Sequence, residues 1–325
     1  MITFAARIRK EQPGIRAALA DATNTLPVWV KPVAHHVLGQ GGKRLRPLLT
    51  IFVARLLGYR EPDIYPLAAA VELFHTATLL HDDVLDNADL RRGQAAAHRV
   101  FGVTETILAG DALLASGNSA VAAYGDARLT AVAAEAIAQT AGGEILELER
   151  QGEIAPDLST YLEIVTGKTA WMIRAACEFG ALKAGAEADR VRAAADYGLN
   201  LGIAFQMVDD ALDFAPSERT GKPEGGDVRE GKFTPPLFFY HASLAAEEQA
   251  VFARAFHERS FTDEAVNAVV TTIRARGFDE QARALADSYL QRARQALDRL
   301  TEGLPPSPER ETLGAFIAHV RDRRA

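Results

Sequence analysis

Two acidic segments of the same form, DDVLD at 82–86 and DDALD at 209–213, each lie inside an apolar run with helical spacing. On a helix, residues four apart share one side, so Asp82 projects with Asp86 and Asp209 with Asp213. Two such faces meeting across a cavity would make a strongly negative wall. Unpaired carboxylates do not persist in a low-dielectric interior, so each cluster requires cationic partners, and hard divalent ions with oxygen ligands suit it best. The expected cation is magnesium, bridging to phosphate oxygens.

The remaining pattern is helical as well. Alanine-rich segments with apolar residues at three- and four-residue spacing cover 67–85, 107–124, 129–148 and 191–214, and strand-like alternation is scarce. Breaks at 39–42, 58–62, Gly102, Gly125, 152–156 and Gly185 are short and carry helix-ending residues. Short connections predict antiparallel neighbours in an all-α bundle. We read residues 1–325 as a single domain, since this length is ample for one large core. The exception is 215–236, APSERTGKPEGGDVREGKFTPP, too rich in glycine, proline and charge for a regular helix. It reads as a long functional loop, a plausible lid directly after the second acidic segment. From Ala245 onward the pattern is helical and chemically quiet.

A net charge of -7 argues against a nucleic-acid surface, so an anionic ligand must be met by local clusters of cations. Cys177 is the single cysteine, which excludes an internal disulfide and suggests a reducing compartment. With neither a secretory leader nor an apolar stretch of spanning length in the sequence, a cytoplasmic protein is expected.

The first acidic segment continues as LLHDDVLDNADLRRG, placing Arg91 and Arg92 roughly two helical turns beyond the carboxylates. Acid, metal and arginine together describe a phosphate clamp, the arginines binding bidentately. A single DDxxD is equally well read as a solvated helix end; the second copy favours metal binding. Upstream, GQGGKRLRPLL sets Lys43, Arg44 and Arg46 between Gly42 and Pro47, an anion site that needs no metal. TGKTAWM puts Lys168 and Thr169 mid-helix, and FQMVDD puts Gln206 one turn before Asp210. The loop supplies Lys222, Asp227 and Lys232. His75 and His81 flank the apolar run before Asp82. A helix histidine is ordinarily a packing residue, though His75 is two turns from Asp82 and could line the same cavity.

Taken in order, GGKRLRP, LLHDDVLDNADLRRG, GKT, FQMVDDALDF and GKPEGGDVREGKFTPPL resemble the trans-isoprenyl diphosphate synthases, the polyprenyl synthetase family. The resemblance runs from about 41 to 237, and RETLGAFIAHVRDR is similar to the family's C-terminal helix. It implies the isoprenoid synthase fold, an all-α bundle around a deep central cavity, usually a homodimer, with three magnesium ions between the acidic motifs. It also implies condensation of isopentenyl diphosphate with an allylic diphosphate. By resemblance, Lys43, Arg46, His75 and Arg92 bind the isopentenyl diphosphate. Asp82, Asp86 and Asp209 ligate magnesium, with Asp83, Asp210, Asp213 and Asp227 supporting directly or through water. Arg91, Lys168, Lys222 and Lys232 hold the allylic diphosphate, while Thr169 and Gln206 lie beside the developing cation. Pro235 departs from the leucine common at that place in the family, which bears on loop closure.

If the diphosphate sits at Asp82 and Asp86, the hydrocarbon tail runs toward the N-terminus of that helix, about 5.4 Å per turn. Family members with short products commonly carry an aromatic residue four or five positions before the first aspartate. Here those positions are Thr78 and Ala77, so the expected path continues toward Phe74, Leu73, Leu113 and Leu114. HTATLLHDD also resembles the long-chain synthases of quinone side chains, and octaprenyl is the central expectation. Farnesyl or geranylgeranyl synthesis is the first alternative. A class I terpene cyclase would normally have a different second metal motif, and a non-catalytic partner subunit would have lost acidic motifs that are intact here.

Overall fold

Long helices form where apolar residues recur at helical spacing, and in the computed structural model, which describes residues 3–216 and 224–323, they supply nearly all regular structure. In chain order the helices are α1 (Phe4–Asn24), α2 (Lys31–Gly39), α3 (Leu45–Leu56), α4 (Ile64–Leu85), α5 (Ala97–Phe101), α6 (Val103–Ala122), α7 (Ala127–Arg150) and α8 (Ser159–Val165). There follow α9 (Trp171–Lys183), α10 (Ala188–Leu212), α11 (Gly226–Glu230), α12 (Pro235–Ala242), α13 (Ala246–Glu258), α14 (Asp263–Arg276), α15 (Phe278–Leu300) and α16 (Pro308–Arg321). A π-helical turn, Thr166–Ala170, joins α8 to α9. The expected all-α class holds, and each of the four segments assigned to helices coincides with one of α4, α6, α7 or α10.

The chain divides into two compact units. The first comprises Met1–Ile137, Ala175–Ala195 and Gly303–Leu313, the second Ala138–Arg174, Asp196–Glu302 and Gly314–Ala325. In the first, α4 is the central element, packed by α1, α3 and α6. Leu67, Val71, Leu73 and Leu80 are fully buried, each contributing on the order of 1.5–3 kcal/mol. Small residues allow the close approaches. A Cβ on Gly117 would lie 2.5 Å from the Phe74 ring, so glycine there lets α6 lie against α4. Thr50 on α3 closes the same unit by donating to the Ala176 carbonyl at 2.8 Å.

In the second unit, Phe214, Val228, Leu237, Phe252 and Phe256 form an apolar cluster that covers the ends of the segment following the second acidic motif. The expectation that all of 215–236 is irregular is therefore corrected: α11 and the start of α12 fall within it. Pro235 occupies the first turn of α12, where a missing N–H costs no helical bond and its fixed φ favours initiation. Residues 217–223, which include Lys222, lie outside the described residues.

A second correction concerns the arginines. The first acidic helix does not run on through RRG: α4 stops at Leu85, and β1 (Leu90–Arg91) pairs antiparallel with β2 (Gln94–Ala95). The two turn residues, Arg92 and Gly93, have φ of 52° and 77°, the left-handed geometry that tight hairpins demand. RRG is a reverse turn, and the helical spacing from Asp82 to Arg91 does not exist.

Candidate active site

In the first unit, α4 delivers Asp82 near its end, and Asp86 caps it, donating its N–H to the Asp82 carbonyl at 2.8 Å. Both carboxylates thus sit at the negative pole of a helix, where cations are favoured and anions are not. Asp83 points elsewhere. It is 1% exposed and accepts from Arg91 Nε at 2.7 Å, so it orients that arginine.

The hairpin turns Arg92 back toward the glycine loop, where it donates to the Gly41 carbonyl. A Cβ on Gly42 would lie 2.7 Å from the movable end of Arg92, but the Gly42 φ of 137° favours glycine whatever the space. Arg44 is spent on structure: it donates to Glu72 Oε1 at 2.5 Å and to the Leu38 carbonyl at 2.6 Å. Arg46 has no such partner for its Nε, which is buried without a hydrogen bond. Burial, partly opposed by Glu72 and reinforced by Arg92, presses its pKa down to about 10. Burial and the charges of Arg46, Arg92, Arg91 and Arg44 push His75 well below the ordinary imidazole range, so it is neutral near pH 7. Lys43 is exposed. A pocket lined by Arg44, Glu72, Thr76, Asp83, Arg91 and Arg92 opens among these groups. His81, as expected of a packing histidine, lies over Gly110 with Nε2 3.1 Å from the Ile107 carbonyl.

Farther up α4, Ala77 and Phe74 are buried, and Thr78 returns its hydroxyl to the His75 carbonyl at 2.9 Å. The first large side chain along this face beyond the small residues is Phe74, seated on Gly117.

In the second unit the π-turn places Lys168 and Thr169. Its backbone lies close against α7, where a Cβ on Gly143 would lie 2.4 Å from the Lys168 nitrogen. π-turns inside helices recur at functional sites. Thr169 donates to Gln206 Oε1 at 2.8 Å, and Gln206 Nε2 donates to Asp210 Oδ1 at 2.7 Å. Tyr161 completes the chain with a 2.6 Å bond to Asp210 Oδ2. Lys168 Nζ lies 2.5 Å from Glu147 and 2.8 Å from Glu144. Lys232 lies 3.7 Å from Glu147 and 2.7 Å from Glu230. Burial alone would raise the Glu147 pKa, but Lys232 and Lys168 together hold it below its ordinary value.

The aspartates of the second motif differ in their surroundings. Burial pushes Asp210 up to about 7, with Asp209 and Glu147 adding to the rise against its two hydrogen bonds. Asp213 accepts the Asp227 N–H at 3.0 Å, fixing α11 to the end of α10. Asp227, bonded by Thr234 at 2.9 Å, is raised well above the carboxylate range by burial, Asp213 and Asp210. Burial and neighbouring carboxylates push Asp210 and Asp227 toward protonation, so a cation bound beside them would be favoured. Among the described residues no three His, Cys, Asp or Glu converge into a ready-made cage. Carboxylate oxygens are the donor type that suits magnesium, which keeps its waters and binds through one or two carboxylates plus phosphate oxygens.

The model of one family, Polyprenyl synthetase, matches residues 27–273. The chain belongs to that family. Among similar polyprenyl synthetases is octaprenyl diphosphate synthase of Escherichia coli (strain K12), 34% identical over 97% of both chains. Two solved structures extend the likeness to the fold. A decaprenyl diphosphate synthase from Rhodobacter capsulatus is 35% identical with a TM-score of 0.91, covering 99% of this chain and 98% of that one. A polyprenyl synthase from Caulobacter crescentus, complexed with calcium and isoprenyl diphosphate, is 37% identical with a TM-score of 0.92, covering 99% and 97%. As a family member the chain is a prenyltransferase with the isoprenoid synthase helical fold.

Sequence reasoning overlooked Glu72, Glu144, Glu147 and Tyr161. Each is a commonplace residue in a helical run, and only the fold reveals that it neutralises or orients a group singled out for chemistry.

Proposed function

We propose that this polyprenyl synthetase makes long all-trans polyprenyl diphosphates, octaprenyl in length, for quinone side chains, by adding isopentenyl diphosphate to an allylic diphosphate. The observation that carries the condensation reading is the Arg46 cluster: a buried, unpartnered Nε beside a neutral His75 and Arg92 supports a binding site for an anion that needs no metal. Lys43, Arg46, His75 and Arg92 hold the isopentenyl diphosphate there, with Arg46 and Arg92 supplying forked, charge-assisted bonds.

Asp82, Asp86, Asp209 and Asp213 are the magnesium ligands, for about three ions. When bound, magnesium neutralises the allylic diphosphate as a leaving group. Lys168, held charged against its burial by Glu147 and Glu144, and Lys232, together with Lys222 and Arg91, stabilise charge on that diphosphate as its carbon–oxygen bond breaks. Thr169 and Gln206 lie beside the developing allylic cation. The isopentenyl double bond attacks this cation, forming the new carbon–carbon bond, and the released diphosphate takes the proton. No side-chain base is required.

Small side chains at Ala77 and Thr78 leave the tail free to grow along α4. The whole chain acts as one synthase domain, in the cytoplasm and as a homodimer. An exposed apolar face on α6, with Val103, Ile107 and Leu108 at 50%, 39% and 58% exposure, supports self-association. No described helix is long and apolar enough to cross a membrane.

Turnover of purified chain with isopentenyl diphosphate, farnesyl diphosphate and magnesium tests the assignment. A chelator, or Asp82→Ala in a normally folded variant, should lower the rate by at least about a hundredfold. Full activity in either case refutes the metal assignment.

A further inference from the structure

Beyond α16 the chain carries an arginine that the reaction above does not use. Arg323 Nη1 lies 2.9 Å from Asp209 Oδ1, as an ion pair whose N–H direction is not aligned for a hydrogen bond. The same guanidinium stands 4.8 Å from the centroid of the Phe205 ring. Phe205 and Asp209 are four residues apart on α10 and present one face. The backbone here is pinned separately: Arg283 Nη2, on α15, donates to the carbonyls of Arg321 at 3.1 Å and Arg323 at 2.7 Å. The pair is partly sheltered, with side-chain exposures of 19% for Arg323 and 37% for Asp209. Charge therefore acts there through less water than on an open surface.

Asp210 is held by Tyr161 and Gln206 and Asp213 by a backbone N–H, whereas Asp209 is met by a cation from the far end of the chain. A guanidinium and a divalent ion on one carboxylate repel each other. The unaligned contact and the ring stack are both interactions that a long side chain exchanges easily.

We propose that Arg323 is the resident counter-ion of Asp209 in the metal-free protein and yields that carboxylate when magnesium and diphosphate load, so that loading releases the C-terminal arginine from α10. Arg323 is thereby a positioning residue, and the C-terminal segment reports on the metal site. This rests on Asp209 being a magnesium ligand.

The test is calorimetric titration of the full-length protein with magnesium pyrophosphate, alongside hydrogen exchange of residues 314–323. Arg323→Gln should tighten binding by about three- to tenfold, Arg323→Lys should stay near wild type, and loading should speed exchange in the C-terminal segment of the wild type. Unchanged or weaker binding by a folded Arg323→Gln protein, or exchange unaffected by loading, overturns the proposal. Asp209→Asn separates the two levels. If wild type binds no magnesium pyrophosphate, or Asp209→Asn binds it as well as wild type does, the metal assignment fails and the inference with it. Loss of binding in Asp209→Asn with no gain in Arg323→Gln removes the counter-ion role alone.

Discussion

His75 shows how neighbours set the protonation state of a residue. Unfolded, it titrates near 6.5; folded, burial and four nearby arginines push its pKa well below that value. Below about pH 6.5 the unfolded chain therefore takes up a proton that the folded chain refuses. Stability carried by neutral His75 is complete above that pH and is lost as pH falls. The thermal midpoint of wild type should drop between pH 7 and pH 5, and His75→Asn should flatten part of that drop; an identical pH profile would contradict the assigned environment. The histidine and the cations near it were legible in the sequence, because GGKRLRP concentrates positive charge where the chain is otherwise acidic. The division of labour was not. That Arg44 is consumed by Glu72 while Arg46 keeps an unpartnered Nε depends on α3 meeting α4, a contact no local pattern encodes.

At the scale of elements, the roles proposed for α4 follow one helical period. Its C-terminal end presents Asp82 and Asp86, and the turns before them present Thr78, Ala77 and then Phe74, so in the proposed reading distance along the helix becomes distance along a growing tail. Ala77→Tyr should shorten the product, with an overpacking cost of about 1–3 kcal/mol in stability. An unchanged length distribution by mass spectrometry in a folded variant would remove the tail from this face. The helices themselves were readable because apolar spacing over twenty or so residues leaves little choice. RRG was misread as helix because the deciding signal is one residue: Gly93, with Arg92 beside it at positive φ, closes a hairpin. Likewise a GKT in a helical run reads as one more turn of α-helix. The π-turn there lies against Gly143, a close backbone contact between residues well apart in sequence.

For the whole molecule, the sequence supplied the all-α class, both acidic motifs and the resemblance that family membership bears out. The pairing of Lys168 and Lys232 with Glu147, and of Asp209 with Arg323, required the folded chain. The exposed apolar stripe of α6 makes self-association testable: Leu108→Asp should shift sedimentation from dimer toward monomer at micromolar concentration, and an unaltered profile would place the interface elsewhere. The central claim is that this enzyme elongates to long chains, and it is tested most directly by the mass of its own product. Purified protein given isopentenyl diphosphate, farnesyl diphosphate and magnesium should yield an all-trans polyprenyl diphosphate centred on octaprenyl. Absence of product, or a distribution ending at geranylgeranyl, would contradict it.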